Sequence, residues 1–577
     1  VPVDSPHLKQ KQLPWWKYSI VGIGSSIAAY VVVGVGGVDD SYITAWVAHN
    51  FSQHGSLGNF NGDAIEQSTS LLHVLILGVV QFLTHLPMPL VAYLVGIAGL
   101  IATVTVAGLC AERIYKGSGL VAAVLIGSSF PILYWSTAGL ETTLVPFFLL
   151  LFLLAVTEFI SVEILATKNF ILLFASALFL AAIRPDALVV SIGVLAFLFL
   201  LSMFGLMKFL SLLIPKVNFQ RQVVLTGITG LGILCVEGFR FVVYGHLVPQ
   251  PVAAKTGLHL TLRPGLSYVA RNMNPGWLWI PFGCAAIIGT VAIVKTKSLL
   301  AWMAIIAGLI SVALVILSGG DWMGMGRMLI PFFTILLIMS GVGIVYVTET
   351  IRAINGQSNI RSLLTIVTVA ALCLQITALR LIAVEPTYFK ERLTTDAPLM
   401  YPWRITENVE GEPVPFNISS SVPWYERRNS SHLRDTEFLS KMKPIIAQLV
   451  SLEANKNRKI TIASYQAGMI PYYLFNWFPN RLHFTDMFSL TTTDFSRCPI
   501  QKHERFGMPV TYEYWISHAG RCAPALPDLV FGLGEMESEL IGKYRVIAQQ
   551  DLTMTRGSDT QEVHAWMYFA QRIEKVS

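Results

Sequence analysis

Apolar runs of about twenty residues recur from residue 17 to residue 384, which matches what a helix needs to cross the hydrocarbon core of a bilayer. In hydrocarbon every backbone N–H and C=O must be bonded within its own segment, so these runs are expected to be helices. Composition agrees. Of 577 residues, 54% are hydrophobic and 13% charged, where a soluble protein carries about a quarter charged residues. The net charge of +6 does not argue for nucleic acid as a partner. Much of the excess lies in short loops, where positive charge sets membrane orientation.

Lys9, Lys11 and Lys17 precede the first run and place the N-terminus on the cytoplasmic side. Residues 1–16 are polar and basic, so no cleavable signal peptide is expected, and the first run would serve as signal-anchor. The run at 69–86 decides the parity of all that follows. It is short, contains His73 and His85, and ends in Leu86-Pro-Met-Pro89. If it spanned, Arg113, Lys116, Lys168, Lys208, Lys216, Arg221, Lys295 and Lys297 would fall outside, against the positive-inside rule. If it lies in the interface or re-enters, the spans are about 17–38, 89–110, 118–136, 141–161, 170–183, 187–206, 222–241, 276–294, 299–317, 328–350 and 360–384. The expectation is therefore a polytopic α-helical membrane protein of about eleven spans, N-terminus in and C-terminus out, with basic loops 111–117, 208–221, 295–297 and 352–361 cytoplasmic.

From about residue 385 no run is long enough to span. Lys459-Ile-Thr-Ile-Ala463 reads as a strand broken by Gly468 and Pro471, Leu529-Val-Phe-Gly532 as another, and Glu426 to Ala454 as helix. We expect a membrane domain over 1–384, with 39–88 as its first outer loop, and a small α/β extracytoplasmic domain over 385–577. Cys110, Cys235, Cys284 and Cys373 lie in or beside apolar runs and read as packing residues. Cys498 and Cys522 can form one disulfide if the tail is extracytoplasmic. No Cys/His spacing resembles a zinc site.

This topology collects polar segments at one membrane face, and ionised groups there imply a site. Asp39-Asp40 come first. Adjacent carboxylates repel unless paired, metal-bound or hydrated. One ionised carboxylate near a hydroxyl is what a general base requires, while the plainer reading of Asp39 is a helix cap. Glu66 and Glu141 either complement helix dipoles or face substrate. Arg184-Pro-Asp186 interrupts two runs, as a tight hairpin pair or as a substrate-facing one. The segment Arg240 to Lys255 carries Tyr244 and His246 and is stiffened by Pro249 and Pro251; Arg forks and Lys point charges suit phosphate. In Gly319-Gly-Asp-Trp-Met-Gly-Met-Gly-Arg327, glycines permit close backbone approach. Asp321, Trp322 and Arg327 add charge, a stacking face and an anion fork.

The order of these motifs resembles the bacterial GT-C membrane glycosyltransferases, nearest the mycobacterial terminal β-(1→2)-arabinofuranosyltransferase family. The likeness covers about residues 38–331 and continues weakly at Gly468-Met-Ile-Pro-Tyr-Tyr473 and Pro527-Asp-Leu-Val530. It implies an inverting transfer of a sugar, arabinofuranose, from a polyprenyl-phosphate donor to a hydroxyl acceptor on a cell-envelope glycan, outside the bacterial inner membrane. Asp39 or Asp40 would be the base, and Arg184, Lys255 and Arg327 would hold the phosphate. Glu66, Glu141, Asp186, Arg240, Tyr244, His246, Asp321 and Trp322 would bind substrate. A divalent cation bridging carboxylate and phosphate is compatible with this chemistry. His246 and Gln250 stand where relatives often have Asp and Asn, and Met328-Leu-Ile-Pro follows Arg327, which leaves sugar and acceptor open between a glycan, a lipid and a pilin-type protein. A lipid or sugar transporter is the rival class. Transporters commonly show paired repeats with binding at the midplane, whereas here no two halves match and the polar groups lie at span ends.

Overall fold

In a computed structural model of the chain, the described residues are 15–33, 38–203, 218–255, 262–273, 276–321, 323, 325–355, 442–452, 458–465, 467–495, 498, 512–533, 538–555 and 562–573. The apolar runs are helices. Among the described residues seven are long and apolar enough to cross a membrane: α4 (Met88–Ile114), α7 (Leu144–Ser161, led by the turn Glu141–Thr143), α9 (Pro185–Met203), α10 (Phe219–Tyr244), α13 (Gly276–Thr296), α14 (Leu299–Leu317) and α15 (Ile330–Asn355). An eighth is the bent pair α5 (Gly119–Gly127) and α6 (Phe130–Ser136), which turn 64° at Ser128-Ser129, where Pro131 opens the second helix. Two more expected spans are helices as well, α1 (Trp15–Val33) and the shorter α8 (Thr167–Ile183). The last, at 360–384, lies outside the described residues, as does the expected domain boundary at 384/385. Large apolar side chains such as Ile27, Ile171, Leu234, Val242, Ile287 and Leu309 are exposed around the bundle, the surface a protein presents to lipid tails.

The two ends of the bundle differ in charge. At one end Arg113 pairs with Glu158, Tyr115 bonds Glu349, Lys295 bonds Tyr346, and Arg221 donates to the carbonyls of Ile160 and Glu163. Tyr18, in the first turn of α1, packs on Gly108 and Gly119 near this end, so α1 leaves it and α4 returns to it. The segment between them therefore starts and finishes at the other end. It consists of α2 (Asp39–His54) and α3 (Leu71–Thr84). The fourteen residues of α3 reach only ~21 Å, short of the ~30 Å hydrocarbon core. A bond from His49 to Gln81 (3.1 Å) ties the two helices together. Helix α2 runs through Asn50 to His54 and stops where Gly55 takes the left-handed conformation, φ 67°.

The tail contributes a five-stranded sheet in the order β2-β1-β3-β5-β4: β1 (Ile460–Ser464), β2 (Leu482–Asp486), β3 (Leu529–Leu533), β4 (Tyr544–Thr555) and β5 (Glu562–Arg572). The first three pair in parallel and the last three antiparallel. Both faces of the sheet are buried: Ile460, Ile462, Phe484, Phe531 and Phe569 join the large core on one face, and the alternate residues Ala463, Val530 and Ala570 join a second cluster on the other, as the two-residue period of a strand dictates. Helix α16 (Met442–Leu452) is the described part of the helix expected over 426–454. Helix α17 (Met469–Trp477) crosses from β1 to β2, and α18 (Tyr512–His518) packs Trp515 against Phe495. Cys498 and Cys522 form a disulfide with Cα atoms 5.1 Å apart. Cys110 is buried, while Cys235 and Cys284 are exposed on their helices.

The sheet rests on the loop between α2 and α3. Asn61 donates to the carbonyl of Phe484 (2.9 Å) and accepts its N–H (2.7 Å), so one amide side chain acts as the next strand along the β2 edge. Asn59 bonds the carbonyl of Thr491 and Gln250 that of Ser489. Trp46, Phe60, Phe475 and Phe484 pack ring against ring across the same junction.

Candidate active site

At the end of the bundle beneath the sheet, residues from four separate segments meet. Arg184 closes α8 in extended conformation, φ −163° and ψ 144°, because Pro185 disfavours helical geometry in the residue before it. The guanidinium of Arg184 meets two carboxylates. It grips Asp186 through two bonds, Nε at 2.8 Å and Nη2 at 3.0 Å, and reaches Glu141 at 3.2 Å. Its Nη2 also lies 2.6 Å from Met328 Sδ, which brings it against the Gly-rich segment.

That segment supplies Arg327, whose Nη1 lies 3.5 Å from Asp40 and whose Nε lies 2.7 Å from Asp321 Oδ2. The Nε–H is not aligned on that oxygen as a hydrogen bond requires, so the pairing there is ionic. The loop is held from two sides. Trp135 donates to the carbonyl of Met325 (3.0 Å), and Asn272, in the helix α12 (Leu262–Asn272), accepts the N–H of Gly326 (2.6 Å). Gly320 and Gly326 adopt φ of +83° and +60°, and a β-carbon on Gly320 would fall 2.5 Å from the Tyr268 side chain.

Asp40, Glu141, Arg184, Asp186, Asp321 and Arg327 thus form one cluster, with four carboxylates around two guanidiniums. Arg184, Glu141 and Asp321 are buried. Charges so placed are tolerated because each arginine satisfies more than one acid. Among the described residues the cluster thus holds four carboxylates and two guanidiniums, and an anion that binds at an arginine fork would compete with a carboxylate already there.

Asp39, next to Asp40 in the chain, faces elsewhere. Its Oδ1 accepts the N–H of Met469 (2.8 Å) and its Oδ2 that of Gly468 (3.2 Å). It therefore caps α17 from outside that helix, satisfying N-terminal donors that have no partner within it. Gly468 is required by this approach, since a β-carbon there would fall 1.9 Å from the Asp39 carbonyl oxygen. Gly468 and Pro471, read from sequence as ending a strand, are the start of this helix.

Glu66 and Arg240 make a second pair. Arg240 Nε bonds both carboxylate oxygens, at 3.2 and 3.1 Å, and its Nη1 bonds Glu237 at 2.8 Å. Burial pushes Glu66 above the usual carboxylate range, with Arg240 opposing. The backbone carbonyl of Glu66 accepts the N–H of Gln250, at the start of α11 (Gln250–Lys255). Tyr244 is buried one turn beyond Arg240 and bonds the carbonyl of Leu57 at 3.4 Å. His246 is exposed. Trp322 and the Lys255 side chain lie outside the described residues. Glu237 went unread in the sequence, although its i, i+3 spacing from Arg240 is that of a helical ion pair. Tyr268 and Asn272 carried no sequence signal, because their task is to hold a loop distant in the chain. Among the described residues no group of three or more His, Cys, Asp or Glu side chains is arranged to hold a metal ion.

The chain is a polytopic membrane protein with the fold of the GT-C membrane enzymes. That likeness rests on ArnT from Cupriavidus metallidurans bound to undecaprenyl phosphate, which matches at TM-score 0.50 and 12% identity over 96% of this chain and 97% of ArnT. The apo state of the same protein gives the same values. An oligosaccharyltransferase from Archaeoglobus fulgidus, tethered to an acceptor peptide, matches at TM-score 0.47 and 10% identity over 90% of this chain and 69% of its own. No family model matches the chain, and no curated protein matches it by sequence.

Proposed function

We propose that this protein is a membrane glycosyltransferase that moves a sugar from a polyprenyl-phosphate donor to a hydroxyl acceptor. The observation that carries the reading is the cluster of Arg184 and Arg327 with four carboxylates at one end of a bundle with this fold. The reaction needs fixed cations where charge develops on a departing phosphate, and a carboxylate to take the acceptor proton.

Our assignment of the base is Asp40. Its carboxylate contacts Arg327 and keeps part of its surface accessible, whereas both oxygens of Asp39 are engaged in holding α17. In the step we envisage, the acceptor oxygen attacks the anomeric carbon from the face opposite the phosphate. A new C–O glycosidic bond forms, the bond to phosphate oxygen breaks with its electron pair, and the acceptor proton passes to Asp40. Polyprenyl phosphate leaves, and the configuration inverts. Arg184, Arg327 and Lys255 hold the phosphate, the arginines as forks and the lysine as a point charge. Arabinofuranose on a cell-envelope glycan is our choice of sugar and acceptor, from the motif order. The basic end of the bundle is assigned to the cytoplasm of a bacterial inner membrane by the charge rule, and the disulfide supports an oxidising compartment for the sheet.

The test is sugar transfer by purified protein in detergent or liposomes, using a panel of polyprenyl-phosphate sugars that includes the arabinofuranose donor. Transfer from that donor with inverted configuration supports the whole reading. Transfer only from a different sugar corrects the sugar and retains the class. No transfer from any polyprenyl-phosphate donor overturns the reading.

A further inference from the structure

Three buried polar side chains stand near Glu141 of the charged cluster, and among the described residues none has a hydrogen-bond partner. Both ring nitrogens of His73, the hydroxyl of Ser70 and the hydroxyl of Thr142 are unpartnered. His73 and Ser70 are 0% exposed and Thr142 1%. Ser70 caps α3 and His73 lies three residues on, so they share a helix face. His73 lies near enough to Glu141 for the carboxylate to act on its imidazole, and Thr142 follows Glu141 in the chain. Ser68 links this corner to α2 through Thr44 (3.0 Å), one turn after Asp40. Buried polar groups are nearly always bonded in native proteins. Three such groups near a candidate active site leave hydrogen-bonding capacity that the surrounding side chains do not meet.

We infer that His73, Ser70 and Thr142 form a subsite for the hydroxyl groups of a sugar ring lying beside Glu141. The chemistry of the set selects this ligand class. A neutral imidazole offers one donor and one acceptor, and each hydroxyl offers both. Sugar hydroxyls also offer both, whereas a phosphate would need the cations that stand at Arg184 and Arg327. The division places phosphate on the arginines and the sugar toward α3. This inference rests on the glycosyl-transfer reading, which it deepens.

The experiment compares wild type, His73→Phe, His73→Asn and Thr142→Val with polyprenyl-phosphate-arabinose and with analogues lacking one ring hydroxyl. One arm alters the donor sugar, and the other alters the acceptor sugar. For the contacted hydroxyl, wild type should lose on the order of tenfold or more in kcat/KM. His73→Phe should lose a similar factor with the complete sugar and no longer discriminate the deoxy analogue. The arm in which discrimination vanishes identifies which sugar occupies the subsite. A merely structural histidine would change thermal stability and leave this discrimination intact. Folded His73→Phe and Thr142→Val with wild-type discrimination in both arms would overturn the inference. If His73→Phe does not fold, His73→Asn and Thr142→Val carry the same test. If wild type transfers no sugar at all, the functional reading has failed, and the subsite is judged by binding of methyl arabinofuranoside. Binding by wild type that is lost in Thr142→Val would sustain it, and no binding by wild type would overturn it.

Discussion

Replacing Arg240 by Met leaves Glu66 buried with no cation to face, and a buried charge without a partner costs about 3–5 kcal/mol. The double variant Arg240→Met, Glu66→Gln removes both charges and should recover much of the loss, as thermal unfolding of wild type, the two single variants and the double variant will show. Lys255→Ala should raise the donor KM more than it lowers kcat, and Lys255→Arg should retain most of the affinity, because a point charge serves either way. Steady-state kinetics at fixed acceptor check this. At this scale the sequence was partly legible. The ends of apolar runs named Asp40, Glu141, Arg184, Asp186, Asp321 and Arg327, and these meet in space. What could not be read was partner choice. That Glu66 pairs with Arg240 rather than with the central cluster, and that of two adjacent aspartates one meets α17 and the other Arg327, depends on contacts between segments hundreds of residues apart. His73 looked like a polar interruption of an apolar run, since burial without a partner is a property of the assembled fold.

Helix α17 hangs on Asp39 by its first turn, so Gly468→Ala is expected to push α17 away from α2 rather than to strain its own backbone alone. The β-carbon would meet backbone, which yields little. The expected outcome is faster proteolysis of the sheet region and lower thermal stability, measured against wild type in the same detergent. At the end of β2, Asp486 accepts hydrogen bonds from the N–H groups of Phe488, Leu490 and Thr491 and from the Thr491 hydroxyl in the loop that follows. Burial nevertheless pushes it from 3.8 up to about 6. A folded-state pKa above the unfolded one means the folded protein binds more protons in that window. Stability from this group is present below about pH 4 and declines as pH rises through about 6. Asp486→Asn should flatten the pH dependence of Tm between pH 4 and 6 while lowering Tm overall, because Asn offers fewer acceptor sites. Helices were read well because a spanning segment announces itself by length and hydropathy. Strands β1 and β3 were read from short apolar runs. The pairing of β4 with β5, and the use of Asn61 as a substitute strand, depend on register and docking, which one sequence does not expose.

The whole molecule is a bundle whose charged end is covered by a sheet, joined to it through Asp39, Asn59, Asn61 and Gln250. Helix α17 docks on α2 at Asp39, the residue next to Asp40, where the acceptor of the proposed reaction would approach. The Cys498–Cys522 disulfide closes a loop of 24 residues in the sheet region, for which the entropy of chain closure gives about 3 kcal/mol. Reduction, or Cys522→Ser, should therefore lower the unfolding temperature of that region first and leave the bundle helical by circular dichroism. The central claim is that this end of the bundle transfers sugar with Asp40 as base. Its most direct measurement is single-turnover transfer from polyprenyl-phosphate-arabinose to an arabinan acceptor, comparing Asp40→Asn with Asp39→Asn. The account predicts that Asp40→Asn binds donor as wild type does and loses roughly 10²- to 10⁴-fold in rate. Asp39→Asn should instead lose stability at the sheet junction and keep most of its rate once folded. Wild-type rates in Asp40→Asn, or a loss of chemistry confined to Asp39→Asn, would contradict it.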